Sequence, residues 1–555
     1  MRTRIVQTLC CALFVASSAW AQETEEFPAV EPPAVGWVTS LADLEAAGAT
    51  IGAIRILPQN IFDLTDEREN YLLYRLANAI HIVTRPDVVR ETLLFKTGDP
   101  LSLRVIEESE RLLRSTLQVY SARIRAVAVH EGVVGPTVDL EVVTRDRWTL
   151  DPSVSFSRTG GVNNDRVGLK EANVFGTGLS VGFSRSSNVD RTSNTFDLSH
   201  PHAFGPFTNA SYSYADTSDG RAWNVNINRP FFALDSRYSG GVSAGSSERS
   251  EAVYVSGVNT GTYQHQQGTF NAFGGWSAGL VDGWTRRHTV GLQYADNSYA
   301  RIPGQSPEGD LPADLTIAAP YYRLDLIQDR FRTGINFNQI GKPEDFNVGL
   351  NLSAQLGRSL SALGSTREQW LYGASIAKGF DVGQRGLLRA SAGSSGRYAS
   401  GSENQTSSLA AQYFHRHNGG YTFFGSFSGS MVSNPDVPNP LTLGGDNDLR
   451  GYPLRYQSGN KSMLVNLEER LYTDWYPFRL VRVGGAVFYD GGRAWGGSNP
   501  NTANSGWLSD VGFGLRLLTD RSAVSNVLHL DVAFPLNREA GIDAVQFLVY
   551  TKITL

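Results

Sequence analysis

The chain has 555 residues, more than one small domain needs, and a formal net charge of −5 from 49 Lys and Arg against 54 Asp and Glu. That mild balance leaves no basic stripe for nucleic acid. The 2 cysteines, Cys10 and Cys11, sit at the extreme N-terminus, so the chain beyond them can form no disulfide and use no thiol for catalysis or metal binding.

In chain order, Arg2 and Arg4 precede a short apolar run from Leu9 to Ala16, and Ala19-Trp20-Ala21 has the spacing of a cleavage site. Residues 1–21 are therefore expected to be an export signal. Residues 22–50 are acidic and proline-bearing, as a flexible periplasmic leader would be. Residues 51–147 change character. Ile51 to Ile56 can be a strand, and Tyr71 to Ile82 places Leu72, Leu73, Leu76, Ala79 and Ile80 on one helical face. After Pro86 a short helix over Val88 to Phe95 is expected. A longer one follows Gly98-Asp99-Pro100, with Ile106, Leu113 and Leu117 in one apolar column. Strands over Arg123 to His130 and over Val138 to Val142 close the unit, joined by a turn at Gly132, Gly135 and Pro136.

From Trp148 to the end no amphipathic helix is visible. Gly, Ser, Asn and aromatic residues interleave, with alternation over about ten residues between polar breaks, the pattern of a transmembrane barrel. No run of eighteen apolar residues follows the signal, so a membrane can be entered only by a closed barrel, which satisfies every backbone group without an open edge. About 400 residues at roughly 25 per strand and loop allow about sixteen strands.

The period of two is clearest in the last five strands. Val465, Leu467 and Leu471 alternate with Asn466, Glu468 and Arg470. Val483, Val487 and Tyr489 alternate with Ala486, Phe488 and Asp490. Val511, Phe513, Leu515 and Leu517 oppose Asp510 and Arg516. Leu528, Leu530, Val532 and Phe534 oppose His529 and Asp531. In the last strand Val545, Phe547, Val549, Ile553 and Leu555 oppose Gln546, Tyr550 and Lys552. The apolar face suits lipid and the polar face a lumen, because a charge at the lipid midplane costs about 2–4 kcal/mol. Glu469 breaks the pattern and is expected near an interface.

Before those strands stands Gly444-Gly445-Asp446-Asn447-Asp448-Leu449-Arg450-Gly451-Tyr452, and the second strand carries Phe488-Tyr489-Asp490-Gly491-Gly492. The first resembles the lumen-loop motif, and the second the Phe-x-Asp-x-Gly motif, of the BamA/TamA superfamily of outer-membrane assembly and secretion barrels. An arginine lowered into a barrel needs a carboxylate. Asp490 is the expected partner, with Glu468, Arg470, Arg516 and Asp531 as further lumen charges. Gly451 is expected to leave room for a sharp loop tip. Glu171 to Gly178, Arg229 to Leu234 and Leu530 to Pro535 are similar to other strand patterns of that family. Phe547, Val549, Ile553 and Leu555 resemble its C-terminal targeting strand, with Leu555 where phenylalanine is more usual. Residues 51–147 resemble one POTRA domain, although the connection from Pro58 to Arg85 is longer than that module's.

The expected fold is thus mainly β: a transmembrane antiparallel barrel over 148–555 preceded by a small α+β periplasmic domain. The resemblance implies an outer-membrane protein that assembles or inserts unfolded polypeptides. Its partners would be the lipid bilayer, the clients, and periplasmic or lipoprotein partners at the POTRA-like unit, with no cofactor, metal or enzymatic activity. A two-partner secretion pore and a plain diffusion porin are the alternatives. Gly241-Val-Ser243-Ala-Gly245 and Gly275-Trp-Ser277-Ala-Gly279 match a hydrolase elbow, but no helix follows either. His200 with His202, and His415 with His417, lack a third metal ligand.

Overall fold

The computed structural model describes residues 40–552 apart from 132–134, 160–161, 189, 256–257, 307–310, 342, 437–439, 446–448, 497–505, 520, 523–526 and 540–541. The expected signal, residues 22–39 of the expected leader, Ile553 and Leu555 lie outside the described residues. The rest of that leader is not a flexible segment: residues 41–50 belong to the small unit, with Leu44 and Ala49 buried in its core. Among those described, no helix is long and apolar enough to cross a membrane.

Residues 41–146 form a small mixed unit. Helix α1 (Leu41–Ala46) leads into β1 (Thr50–Gln59); α2 (Leu72–Ile80), α3 (Pro86–Thr92) and α4 (Leu103–Ser115) follow, then β2 (Val119–His130) and β3 (Thr137–Asp146). β3 lies in the middle, parallel to β1 and antiparallel to β2. The alternation of β3 turns Val138, Leu140 and Val142 inward, where they pack with Ile51, Ile124, Ile106 and Leu113. Each such aliphatic side chain contributes about 1.5–3 kcal/mol by leaving water. Proline opens α3 at its first turn, where no backbone donor is missed. One expectation fails here. Leu117 lies beyond the end of α4 and is exposed, so it leaves the column of Ile106 and Leu113. The apolar face of α2 is not in the core: Tyr74 is buried, whereas Leu72, Leu73, Leu76 and Ile80 are exposed.

Twenty strands, from Leu150–Thr159 to Gln546–Lys552, pair antiparallel into one closed barrel. They are named below by their order in the barrel. The count exceeds the expected sixteen because several turns are far tighter than assumed. Asp282-Gly283 joins the eighth strand (Val258–Val281) to the ninth (Trp284–Arg301) with φ of 51° and 76°, the left-handed pair of a two-residue hairpin turn. Outward positions carry exposed apolar residues such as Leu169, Phe183, Val487, Phe513 and Leu515, the surface a bilayer requires.

The barrel closes between its first and last strands. The nineteenth strand (Val527–Pro535) pairs with the twentieth (Gln546–Lys552) from Val527↔Lys552 to Ala533↔Gln546. The first (Leu150–Thr159) pairs with the second (Val162–Val174) along its whole length. Between the twentieth and the first, the described pairing is one position, Val549↔Arg158.

The small unit sits at one end of the barrel, called here the near end. It is tied to turns there. Asn173 Nδ2 donates to Thr84 Oγ1 (2.9 Å), and Asp146 accepts from the Thr84 N–H (2.7 Å) and hydroxyl (2.9 Å). The Leu234 N–H donates to Glu108 (2.9 Å). Both Asn173 and Leu234 fall in segments singled out by family likeness, and here they hold the small unit to the barrel.

Candidate functional site: a braced lumen

The lumen site rests on strands sixteen (Lys461–Tyr472), seventeen (Val481–Trp495), eighteen (Leu508–Thr519) and nineteen. A strand alternates its faces, so Glu468 and Arg470, Phe488 and Asp490, Asp510 and Arg516, and Asp531 all turn inward. The far-end connection between strand fifteen (Tyr421–Ser433) and strand sixteen carries a short hairpin, Leu441–Leu443 with Gln457–Gly459, and lowers Arg450 among them. Five barrel strands follow that connection, as expected.

Arg450 is 3 % exposed and Asp490 0 %. The guanidinium donates through Nε to Asp490 Oδ2 and through Nη2 to Oδ1, both at 2.7 Å, the bidentate fork that fixes orientation as well as distance. Nη1 donates to Glu468 Oε1 (2.9 Å) and to Asp531 Oδ2 (3.1 Å). The Phe488 ring lies beneath, 3.4 Å from the guanidinium carbon to the ring centre. The two motifs therefore meet at Arg450 and Asp490, and Glu468 and Asp531 bind the same guanidinium. Arg516 donates to Asp531, and Arg470 Nε donates to Glu468 Oε2 (2.7 Å). Three guanidinium groups and their carboxylates thus form one buried network, in which each charge is compensated.

Around it, Leu449 and Tyr452 are fully buried and pack with Leu443, Leu464 and Leu508. The Tyr452 hydroxyl donates to the Ser509 carbonyl (3.0 Å), and the Gly451 N–H to Asp510 Oδ2 (2.9 Å). Gly451 is required by close approach: a Cβ there would lie 2.5 Å from Asp510 Cβ. At Gly492 the constraint comes from the neighbouring strand, since an added Cβ would lie 2.9 Å from the Met463 carbonyl oxygen. Asp510 and Tyr550, whose hydroxyl donates to Asp531 (3.0 Å), also belong to the site; alternation puts both on the lumen face, but nothing in the sequence signals that they reach the Arg450 loop and its partners. Phe547 is exposed on the outer face and Val549 lies at the closing pair.

A second insertion meets the first from the near end. Between strand ten (Leu315–Gln328) and strand eleven (Asn351–Arg358), the hairpin Phe331–Ile335 with Pro343–Asn347 folds into the lumen. Phe337 at its tip is fully buried against Phe346 and the inward-facing Leu387, Phe414 and Phe424. Ile340 packs on Tyr472, Leu518 and Val527 across the barrel. Glu344 shapes the tip by accepting the N–H groups of Phe337 (2.9 Å), Asn338 (3.0 Å) and Gln339 (3.2 Å), while burial pushes its carboxyl above the ordinary carboxylate range. The Phe337 carbonyl accepts from Arg470 Nη1 (2.9 Å) and from the Tyr472 hydroxyl (3.1 Å). Through Arg470 and Glu468 the two insertions share one polar network. The sequence hid this hairpin because its aromatic and polar residues resemble those of an ordinary barrel strand.

No family model matches the chain, and no curated protein matches it in sequence. Among solved structures it is similar to BamA from Haemophilus ducreyi lacking POTRA domains 1–3, at 14 % identity and a TM-score of 0.39, over 90 % of this chain and 84 % of that one. It is also similar to CdiB from Escherichia coli (13 %, TM-score 0.47, 91 % and 76 %) and CdiB from Acinetobacter baumannii (13 %, TM-score 0.44, 91 % and 74 %). At these identities and scores they give no ground for a role.

Among the described residues no group of three His, Cys, Asp or Glu is placed to hold a metal ion. Ser243 and Ser277 lie within barrel strands seven (Tyr238–Val255) and eight, not at a strand-to-helix elbow.

Proposed function

We propose that the protein is an outer-membrane factor that assembles or inserts unfolded polypeptides, with the near end in the periplasm. The observation that carries this reading is the contrast between the closing seam and the strands beside it. Strands sixteen to nineteen are held by the Arg450 network, whereas the twentieth meets the first at one described position. A barrel so braced can part at its seam without losing its shape, and a client strand can then pair with the freed backbone groups. The small unit, read as a POTRA-like module, offers edge strand β2, with Val127 and Val129 exposed, as a place where an extended client can add by backbone hydrogen bonds. The same unit is where periplasmic or lipoprotein partners would dock.

A polypeptide secretion pore is the second reading, favoured by the near-end hairpin. Its tip is a compact plug that can be displaced as a unit, which a pore for one exported protein would need. A plain diffusion porin has no use for two insertions tied together in its lumen. Quantitative proteomics of outer membrane, periplasm and medium, with and without the protein, separates the readings. Loss of several barrel proteins from the membrane is the expected result. Loss of one protein from the medium makes the pore reading correct, and no change in either sinks both.

A further inference from the structure

Helix α2 presents an apolar face that none of the described residues covers. Its inner side is fixed: Tyr74 is 3 % exposed, stacked on Phe62 with ring centres 4.4 Å apart, and Asn78 exchanges hydrogen bonds with the Phe62 backbone (3.1 and 2.9 Å). At 100° per residue, Leu72, Leu73, Leu76 and Ile80 fall on the opposite side. They are 70, 60, 54 and 68 % exposed. Four neighbouring large aliphatic side chains in water are not an ordinary soluble surface; such patches mark an interface.

The helix is pinned to the rim of the barrel. The Tyr74 hydroxyl donates to the carbonyl of Phe478, in the turn between strands sixteen and seventeen, and Arg479 of that turn pairs with Asp66 and Glu69 (both 3.2 Å). Arg521, between strands eighteen and nineteen, pairs with Glu69 (2.6 Å). Past the helix, the Arg85 N–H donates to Gly176, in the turn between the second strand and the third (Leu179–Ser187). The segment therefore runs along the near-end rim from strand sixteen to strand three, across the foot of the seam. Trp475 and Phe478 stand beside it, 66 and 80 % exposed, with Phe478 held at a φ of 53° that a bulky residue seldom adopts.

We propose that α2 is an interfacial helix, seated with its apolar face among the acyl chains of the near-side leaflet beside the seam. Two observations select phospholipid over other occupants. The rim turn to which the helix is pinned carries the exposed aromatics Trp475 and Phe478, and aromatic residues favour the headgroup level of a bilayer. The helix also carries no acidic residue, and Arg75 flanks the apolar face, where it can reach anionic headgroups while its stem stays among the chains. The inference needs the barrel to be in a membrane and does not depend on what the barrel transports. If the seam does open, α2 is the element best placed to disorder the lipid there.

The test is nitroxide scanning of the full chain in phosphatidylethanolamine and phosphatidylglycerol vesicles, in a background with Cys10 and Cys11 replaced by serine. Labels at Leu73→Cys, Leu76→Cys and Ile80→Cys are compared with one at Glu67→Cys, on the exposed approach to the helix. Collision with oxygen relative to a water-soluble nickel chelate is expected to be several-fold higher at the three helix positions than at residue 67. Equal nickel access at all four positions overturns the proposal. Exclusion of both reagents from the helix face also overturns it, since a second copy or another protein segment then covers that face. Heat-modifiable migration of each variant on a gel confirms a folded barrel, and three positions on one face keep the test intact if one of them folds poorly.

Discussion

Arg450 shows what a single side chain does when it is buried with all three of its guanidinium nitrogens hydrogen-bonded to carboxylates. Removing it leaves Asp490, Glu468 and Asp531 without their shared cation, and breaking a buried charge network costs about 3–5 kcal/mol. Arg450→Ala is therefore expected to lower the unfolding free energy of the barrel in lipid vesicles by that order, read as a fall in its urea midpoint, and a wild-type midpoint would rule out a bracing role. Arg450→Lys should fall between, since an ammonium keeps the charge but cannot form the planar fork to Asp490. A double-mutant cycle with Asp490→Ala should be non-additive by about 0.5–3 kcal/mol, as for residues of one network. The meeting of Arg450 with Asp490 was legible in the sequence because a period of two is rigid: once the strand is placed, Phe488 and Asp490 must share the lumen. What the sequence left open was the number of partners. Glu468, Asp531 and Arg516 share that face too, and only the lateral order of four strands shows that one guanidinium can reach three carboxylates.

At the scale of elements, the near-end hairpin makes its own prediction. A Cβ at Gly334 would run into the Phe337 ring, so Gly334→Ala should push the tip out of its seat. Phe337→Ala removes the ring buried against Phe346, Phe414 and Phe424, a loss of about 3–5 kcal/mol of packing. Both variants are expected to convert a mostly closed channel into one with larger and longer-lived openings in planar bilayer recordings, while the Arg450 network keeps the barrel heat-resistant. Wild-type conductance in both would mean that the hairpin does not obstruct the lumen. This element escaped sequence reading for a physical reason. Its short strands pair with each other and not with the wall, and pairing partners leave no mark on a period-two pattern. The same limit applies to α2: its periodicity showed an apolar face but not what the face meets. The strands of the small unit were more legible, because Val138, Leu140 and Val142 alternate with charges over a span too short for anything else.

Among the described residues the Arg450 network ties strands sixteen to nineteen, while the seam shows one paired position, and the part the seam plays can be tested by tying it shut. Val549 and Arg158 are Cα partners across the twentieth and first strands. Antiparallel partners stand about 4.5–5.5 Å apart, within the range a disulfide spans. Val549→Cys with Arg158→Cys, in a chain freed of Cys10 and Cys11, should therefore cross-link on oxidation without moving the backbone. If the seam is the route by which a client strand or disordered lipid enters the wall, the oxidised protein loses client handling in reconstituted vesicles and regains it on reduction, while the Arg450 network and the folded barrel stay as they were. A secretion pore passes its cargo through the lumen and over the near-end hairpin, so the same lock should leave it active. Full activity of the oxidised protein, with the cross-link verified by mass, would remove the seam from the mechanism and move the working path into the lumen. There the Phe337 tip and Arg470 would be the residues that a passing chain has to displace.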